Sequence, residues 1–298
     1  TVDAAVMESN PGNVVILTIT SVLVDGDLET VSVGGVGSQT CPTCVISPQQ
    51  TRSFVNGVIT CAEVQKPDAT LLPLFSDRSR YAGLATLPGV KFTVRGTAVQ
   101  QYGALYYIVD EDGGQRGGMS VFAPIAPLVA GNRYRVSGQL QEFDFETELV
   151  NTVLITNEGA GTLPAAAVQT VAVLRDTTTD QAQATLTGED FEGMLVRVSD
   201  VKVTETRTIG LSFFVAGQRP LFPDTLLVSN LNGVLNSFTP PDSATWITVT
   251  GVLHYANGRF RICPRDASDI ELKTVGVGGN AGLQQIEFSV APNPARTS

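Results

Sequence analysis

Arg133-Tyr134-Arg135-Val136-Ser137-Gly138-Gln139-Leu140 and Trp246-Ile247-Thr248-Val249-Thr250-Gly251-Val252-Leu253 carry one pattern. Apolar positions recur every second residue, the period of a strand with one buried face. A glycine interrupts each at the same place, just before the last two residues. Glycine inside a strand marks a sharp coil or a close backbone approach. Reading upstream, Lys91-Phe92-Thr93-Val94-Arg95-Gly96-Thr97-Ala98-Val99 matches Met194-Leu195-Val196-Arg197-Val198-Ser199-Asp200-Val201-Lys202-Val203. Each is followed by a short aromatic strand, Ala104–Val109 or Leu211–Val215, then by Met119–Phe122 or Thr225–Val228. Downstream, one hairpin turn leads into a last strand, Thr147–Ile155 or Gly258–Cys263, and Asn257-Gly258 is a strong two-residue hairpin signal. Five strands per unit, with a glycine in the fourth, predict a small partly open barrel that occurs twice.

The rest of the chain is punctuated in the same way. Val14–Thr20 is short and β-branched, and Asp112-Gly113-Gly114 and Asn56-Gly57 read as turns. Helical patterns are few: Ala165–Leu174 after Pro164, and a shorter one near Ser76–Ala85. The fold class is all-β: tandem five-stranded barrels preceded by a small β-rich N-terminal region. The expected divisions are 1–88 for that region, 89–160 for the first barrel and 161–190 for a linker with a short helix. Residues 191–273 form the second barrel and 274–298 a Gly-rich linker and tail.

The chain has 298 residues, 43% apolar and 16% charged, enough for real cores and too apolar for wholesale disorder. No run of about 18 apolar residues marks a membrane-spanning helix. Thr1 is expected to be a mature N-terminus after export. The net charge is −10, from 19 Lys and Arg against 29 Asp and Glu. Binding along a nucleic-acid backbone needs clustered cations, and this sequence has no such run. Its field repels phosphate and anionic membrane surfaces.

Cys41, Cys44, Cys61 and Cys263 are candidates for disulfides, with three possible connectivities. Cys41-Pro-Thr-Cys44 has redox or zinc spacing, but it lies among Gly, Ser, Thr and Pro, and a four-ligand zinc site needs a second close pair.

Phe191-Glu192-Gly193-Met194-Leu195-Val196-Arg197-Val198, with Gly251-Val252-Leu253-His254-Tyr255 and Arg261-Ile262-Cys263-Pro264-Arg265-Asp266-Ala267-Ser268-Asp269-Ile270, resembles the tandem oligonucleotide/oligosaccharide-binding (OB) modules of exported bacterial proteins. Some of those modules accompany extracellular nucleases. The resemblance covers about residues 90–272 and rests on barrel-building residues. The tail Phe288-Ser289-Val290-Ala291-Pro292-Asn293-Pro294-Ala295 looks like the opening of a type IX secretion sorting domain. That likeness implies a secreted, extracellular or outer-surface location and carries over no catalytic residue.

Candidate chemistry is sparse. His254 is the single histidine, which excludes multi-histidine zinc sites, and it reads as a hairpin surface residue. No Gly-x-Ser-x-Gly elbow is present. Asp110-Glu111-Asp112-Gly113-Gly114 could seat Ca²⁺ but lacks the ligand alternation of an EF-hand loop, so a plain acidic turn is favoured. Glu142, Asp144, Glu146 and Glu148 alternate and read as a solvated strand edge. Tyr106, Tyr107, Phe122, Phe213 and Phe214 lie on barrel strands two and three, the face that stacks bases in nucleic-acid-binding OB barrels. Adjacent aromatics point to opposite faces, so one of each pair is core; packing on a neighbouring domain is favoured for the other. Val2, Ala4 and Val6 precede Asn10-Pro11-Gly12 and could act as a donor strand.

The expected function is a secreted, non-catalytic structural protein of the cell surface with no cofactor or metal. It is expected to self-associate, potentially as a filament built by strand addition between subunits. The alternative is an OB-type binding module for nucleic acid or glycan, attached to an extracellular enzyme system.

Overall fold

The computed structural model describes residues 4–7, 15–18, 23, 26–33, 37–38, 41–45, 50–67, 79–81, 90–175, 187–206, 210–217 and 225–273. The N-terminal region is strand-rich. β1 (Ala4–Met7) pairs antiparallel with β2 (Val15–Thr18) as a two-stranded sheet. β3 (Leu28–Val33) pairs with β6 (Gln50–Val55), and β4 (Gly37–Ser38) with β5 (Cys41–Val45). Then follow β7 (Ile59–Thr60) and the one-turn helix α1 (Cys61–Gln65).

The first barrel comprises β8 (Phe92–Tyr102), β9 (Leu105–Val109), β10 (Gly118–Phe122), β11 (Asn132–Phe143) and β12 (Glu146–Ala160). It closes in the order β8-β9-β10-β12-β11-β8, with β10 and β12 parallel and every other contact antiparallel. β13 (Ala167–Val168) and the short helix α2 (Val171–Leu174) lead to the second barrel: β14 (Leu195–Thr206), β15 (Phe213–Ala216), β16 (Thr225–Val228), β17 (Trp246–Tyr255) and β18 (Phe260–Cys263). It repeats the circuit as β14-β15-β16-β18-β17-β14, again with the third and fifth strands parallel. β19 (Ile270–Leu272) adds outside β17. The tandem OB-like barrels read from the sequence are therefore present.

The paired glycines explain how each fourth strand serves two neighbours. β11 pairs with β8 up to Gly138 and with β12 on both sides of it, the β12 register shifting between Ser137 and Gln139, and a Cβ on Gly138 would lie 2.6 Å from the Val150 carbonyl oxygen. A Cβ on Gly251 would lie 2.5 Å from the Cys263 carbonyl oxygen, at the same place in the second barrel. Only a hydrogen fits, so the strand can coil tightly onto the fifth strand.

The alternating residues fill the barrels. Phe92, Val94, Tyr106, Ile108, Met119, Val121, Val136 and Leu149 form one core. Val196, Val198, Phe213, Val215, Leu226, Val228, Val249 and Ile262 form the other. The first core also recruits Val55, Ile59, Cys61, Val64 and Tyr81, upstream of the barrel strands.

The repeat is longer than the sequence reading drew it. β7 runs parallel to β8 and β13 parallel to β14, each followed by a helical turn. Thr60 caps the first turn, its Oγ1 accepting from Glu63 N at 3.1 Å, and Thr170 holds the same position before the second. Cys61 and Val171 are buried alike, as are Val64 and Leu174.

The helix expected over Ala165–Leu174 is corrected: Ala167-Val168 is a strand, and only Val171–Leu174 turn helically. Pairing with Val196-Arg197 outweighs the weak propensity of so short a segment. The helix expected at Ser76–Ala85 lies outside the described residues save 79–81, and the tail beyond 273 lies outside them entirely. No helix among the described residues is long and apolar enough to cross a membrane.

Candidate functional site

In an OB barrel, the outer face of strands two and three, flanked by the turns after strands one and four, takes oligonucleotides or oligosaccharides. In the first barrel that face belongs to β9 and β10, and the second barrel covers it. Val99, Tyr102, Tyr107 and Val109 pack with Leu195, Val252 and Cys263 in a third apolar cluster. Tyr102 Oη donates to the Cys263 carbonyl oxygen at 2.6 Å. Both flanking turns are occupied. A Cβ on Gly103 would lie 2.9 Å from Asn232 Cγ, and Asp144 Oδ2 accepts from Asn257 N at 2.5 Å. Phe145 packs edge-on against Tyr255.

The backbones meet at Gly118 on β10 and Gly193 ahead of β14, where a Cβ on Gly118 would run into the Gly193 carbonyl. Arg116 pairs with Asp190 at 3.1 Å beside this contact. Gln65 Nε2 donates to the carbonyl oxygen of Gly118.

A polar group sits inside this seam. Tyr107 Oη donates to Glu146 Oε1 at 2.8 Å. His254 Nδ1 lies 2.9 Å from Glu146 Oε2 and 2.8 Å from Tyr107 Oη. The phenol has one proton and gives it to Glu146, so Nδ1 of His254 carries the proton on its side of the triangle. Exposure is 0% for Tyr107, 2% for Glu146 and 8% for His254. Burial, with Glu146 alongside, holds the Tyr107 phenol well above its ordinary range.

Two expectations are thereby corrected. His254 is not a surface residue of its hairpin, and Glu146 and Glu148 are not a solvated edge. β17 and β12 each have both faces covered here, one by their own barrel and one by the other barrel. Glu148 is buried and pushed up to about 7, chiefly by desolvation. Glu192 joins the same cluster, its Oε1 accepting from Thr147 N at 3.3 Å. Burial, then Glu189, Glu146 and Glu142, raise it well above the usual carboxylate range.

The aromatics divide accordingly. Tyr106 and Phe213 are core, and Tyr107 packs on the neighbouring barrel, so these three are not a binding face. Phe122 is 45% exposed and Phe214 half-buried.

Cys61 and Cys263 are buried free thiols, so neither takes part in a bridge, contrary to the expectation for them. Each lies in a different apolar cluster, and burial raises both thiols well above their ordinary range. Cys41 and Cys44 lie on β5, with side chains outside the described residues. Ala4 and Val6 lie on β1, paired within their own chain to β2 rather than held as a lone strand; Val2 is outside the described residues.

The acidic turn spends its oxygens on the protein itself. Asp110 accepts from the Cys61 and Ala62 amides at 2.8 and 2.9 Å, capping α1. Glu111 accepts from Thr162 N and Thr97 Oγ1 and pairs with Arg133. With Thr60, Arg95, Gly96, Asp112 and Arg133 these residues line a cavity of about 260 Å³. Among the described residues no group of three or more His, Cys, Asp or Glu is placed to hold a metal ion.

Glu192 and Tyr102 had no place among the candidate residues. Glu192 stands in Phe191-Glu192-Gly193, a stretch legible only as barrel-building. No protein-family model matches this chain, and no curated protein matches it. What the geometry defines is a pair of barrels joined through the face that such barrels otherwise offer to ligands.

Proposed function

We propose that this chain is a secreted, non-catalytic structural protein of the outer surface that associates with copies of itself, forming an extracellular filament by strand addition. The observation that carries this reading is the filled face: Tyr107, the aromatic best placed on the first barrel to stack a ligand, is wholly buried against the second barrel. A face used for internal docking favours a scaffold over a binding module. The export route fits the type IX-like tail read from the sequence.

Two features support self-association. The β1–β2 pair joins no other described sheet, and an isolated two-stranded hairpin is marginal in water until something completes it. Phe122-Ala123-Pro124-Ile125-Ala126-Pro127-Leu128-Val129-Ala130 has no polar side chain, with Phe122 45%, Ile125 63% and Val129 59% exposed. Val153 and Leu154, each 56% exposed, adjoin it through the bond from Ile125 N to Thr152 Oγ1. A charge-free apolar surface on a chain of net charge −10 suits a second copy, with salt screening the mutual repulsion.

Size-exclusion chromatography with light scattering and negative-stain imaging test this. The intact chain is expected to assemble, more strongly at 0.5 M than at about 0.05 M salt, while deletion of residues 1–18 leaves monomer. Monodisperse monomer from both forms at high concentration would refute it. Titration with single-stranded DNA at the same two salt concentrations addresses the alternative: salt-sensitive binding would favour the module reading.

A further inference from the structure

The seam between the barrels holds more acid than base. Glu146, Glu148 and Glu192 are 2%, 5% and 1% exposed, and Glu189 is 1% exposed. The groups facing them come from every element of the seam. β17 supplies His254, and β18 supplies Arg261 and Cys263. Tyr107 comes from β9, Glu142 and Gln141 from β11, and Glu189 from the turn before β14. Arg116, at the rim, is paired with Asp190.

His254 is committed to Glu146. Glu148 has the neutral Gln141 amide at 2.9 Å. Glu192 has the Thr147 amide on Oε1, while its buried Oε2 has no hydrogen-bond partner among the described residues. An ionised carboxylate without a cation in a dry seam is strongly disfavoured, and such a group keeps its proton instead.

We propose that the barrel–barrel junction is a proton-linked joint, docked while Glu148 and Glu192 are protonated and loosened as rising pH ionises them. It goes beyond the reading of the chain as a scaffold and depends only on the docked geometry.

The sign follows from burial. Glu148 is raised from 4.5 to about 7, so its share of the docking free energy is fully present below pH 4.5 and is lost as pH rises through about 7. Glu192 is raised in the same direction and adds to the same loss. When the barrels part, both carboxyls meet water, release their protons and hold the joint open.

Hydrogen exchange of the Thr147 and Arg116 amides, corrected for intrinsic rate, reads the opening; Arg116 N donates across the seam to the Asp190 carbonyl at 2.8 Å. Between pH 5 and pH 8.5 the protection of these two amides is expected to fall roughly tenfold to a hundredfold, while core amides of Val94 and Val215 hold theirs. Glu148→Gln with Glu192→Gln should stay docked and flatten the dependence, and Glu148→Gln alone should reduce it. Unchanged protection in the unmodified chain overturns the proposal whether or not the variants fold. So does an equal pH dependence in a folded double variant.

Discussion

Gly118→Val is expected to separate the barrels while leaving each barrel closed. The side chain would grow from β10 into the carbonyl of Gly193, and neither backbone can yield cheaply. Gly118 pairs with Val109 in the first barrel, and Gly193 bonds to Leu253 in the second. Forcing bulk into a close-packed contact costs about 1–3 kcal/mol or more. The third apolar cluster then loses its opposing half, because Val109 and Leu195 come from different barrels. At the upper end, the melting temperature should drop by roughly 6–12 °C for a chain of this size. Calorimetry should show one transition becoming two, and small-angle scattering a longer particle. A single transition with unchanged dimensions would show that the Gly118–Gly193 contact does not hold the junction.

His254→Ala should be nearly as severe, for an electrostatic reason. It removes the one base paired to Glu146 and leaves that carboxylate 2% exposed beside Tyr107. Leaving a buried acceptor without its donor costs about 1–3 kcal/mol, and more for a charged group. Adding Glu146→Leu to His254→Leu should recover much of the loss, since the paired replacement leaves no charge stranded and fills similar volume. Denaturant midpoints of the three proteins decide the point. If His254→Ala is within about 0.5 kcal/mol of the unmodified chain, the pair is not buried in solution.

The barrels were legible because their chemistry is local. Alternation along Arg133–Leu140 and Trp246–Leu253 gives the strands, and Gly138 and Gly251 give the coil that closes them. The β7–α1 and β13–α2 preludes were not, since two strand residues and one helical turn are too short to show a period. The Thr60-Cys61-Ala62 and Thr170-Val171-Ala172 match was the available signal.

The junction was harder to read because polar residues inside it look like surface residues. Its trace lay in Leu105-Tyr106-Tyr107-Ile108-Val109, apolar at every position, which is the mark of a strand covered on both faces. Leu253-His254-Tyr255 is covered in the same way, and there the histidine reads as an interruption of the core although it belongs to a second one. Nothing local to Glu146 or Glu192 announces burial; that follows only from how the second barrel sits.

That placement can be tested most directly on β10. Ser120 is 0% exposed and Phe122 is 45% exposed, two residues apart on the same side of one strand. Cysteines introduced singly as Ser120→Cys and Phe122→Cys should differ sharply in thiol-labelling rate, read site by site by mass spectrometry. Docked barrels predict that position 120 reacts slower by about a hundredfold or more, because labelling must wait for the joint to open. Comparable rates at the two positions would mean that this face is open to solvent, and the account of a self-filled scaffold would fail.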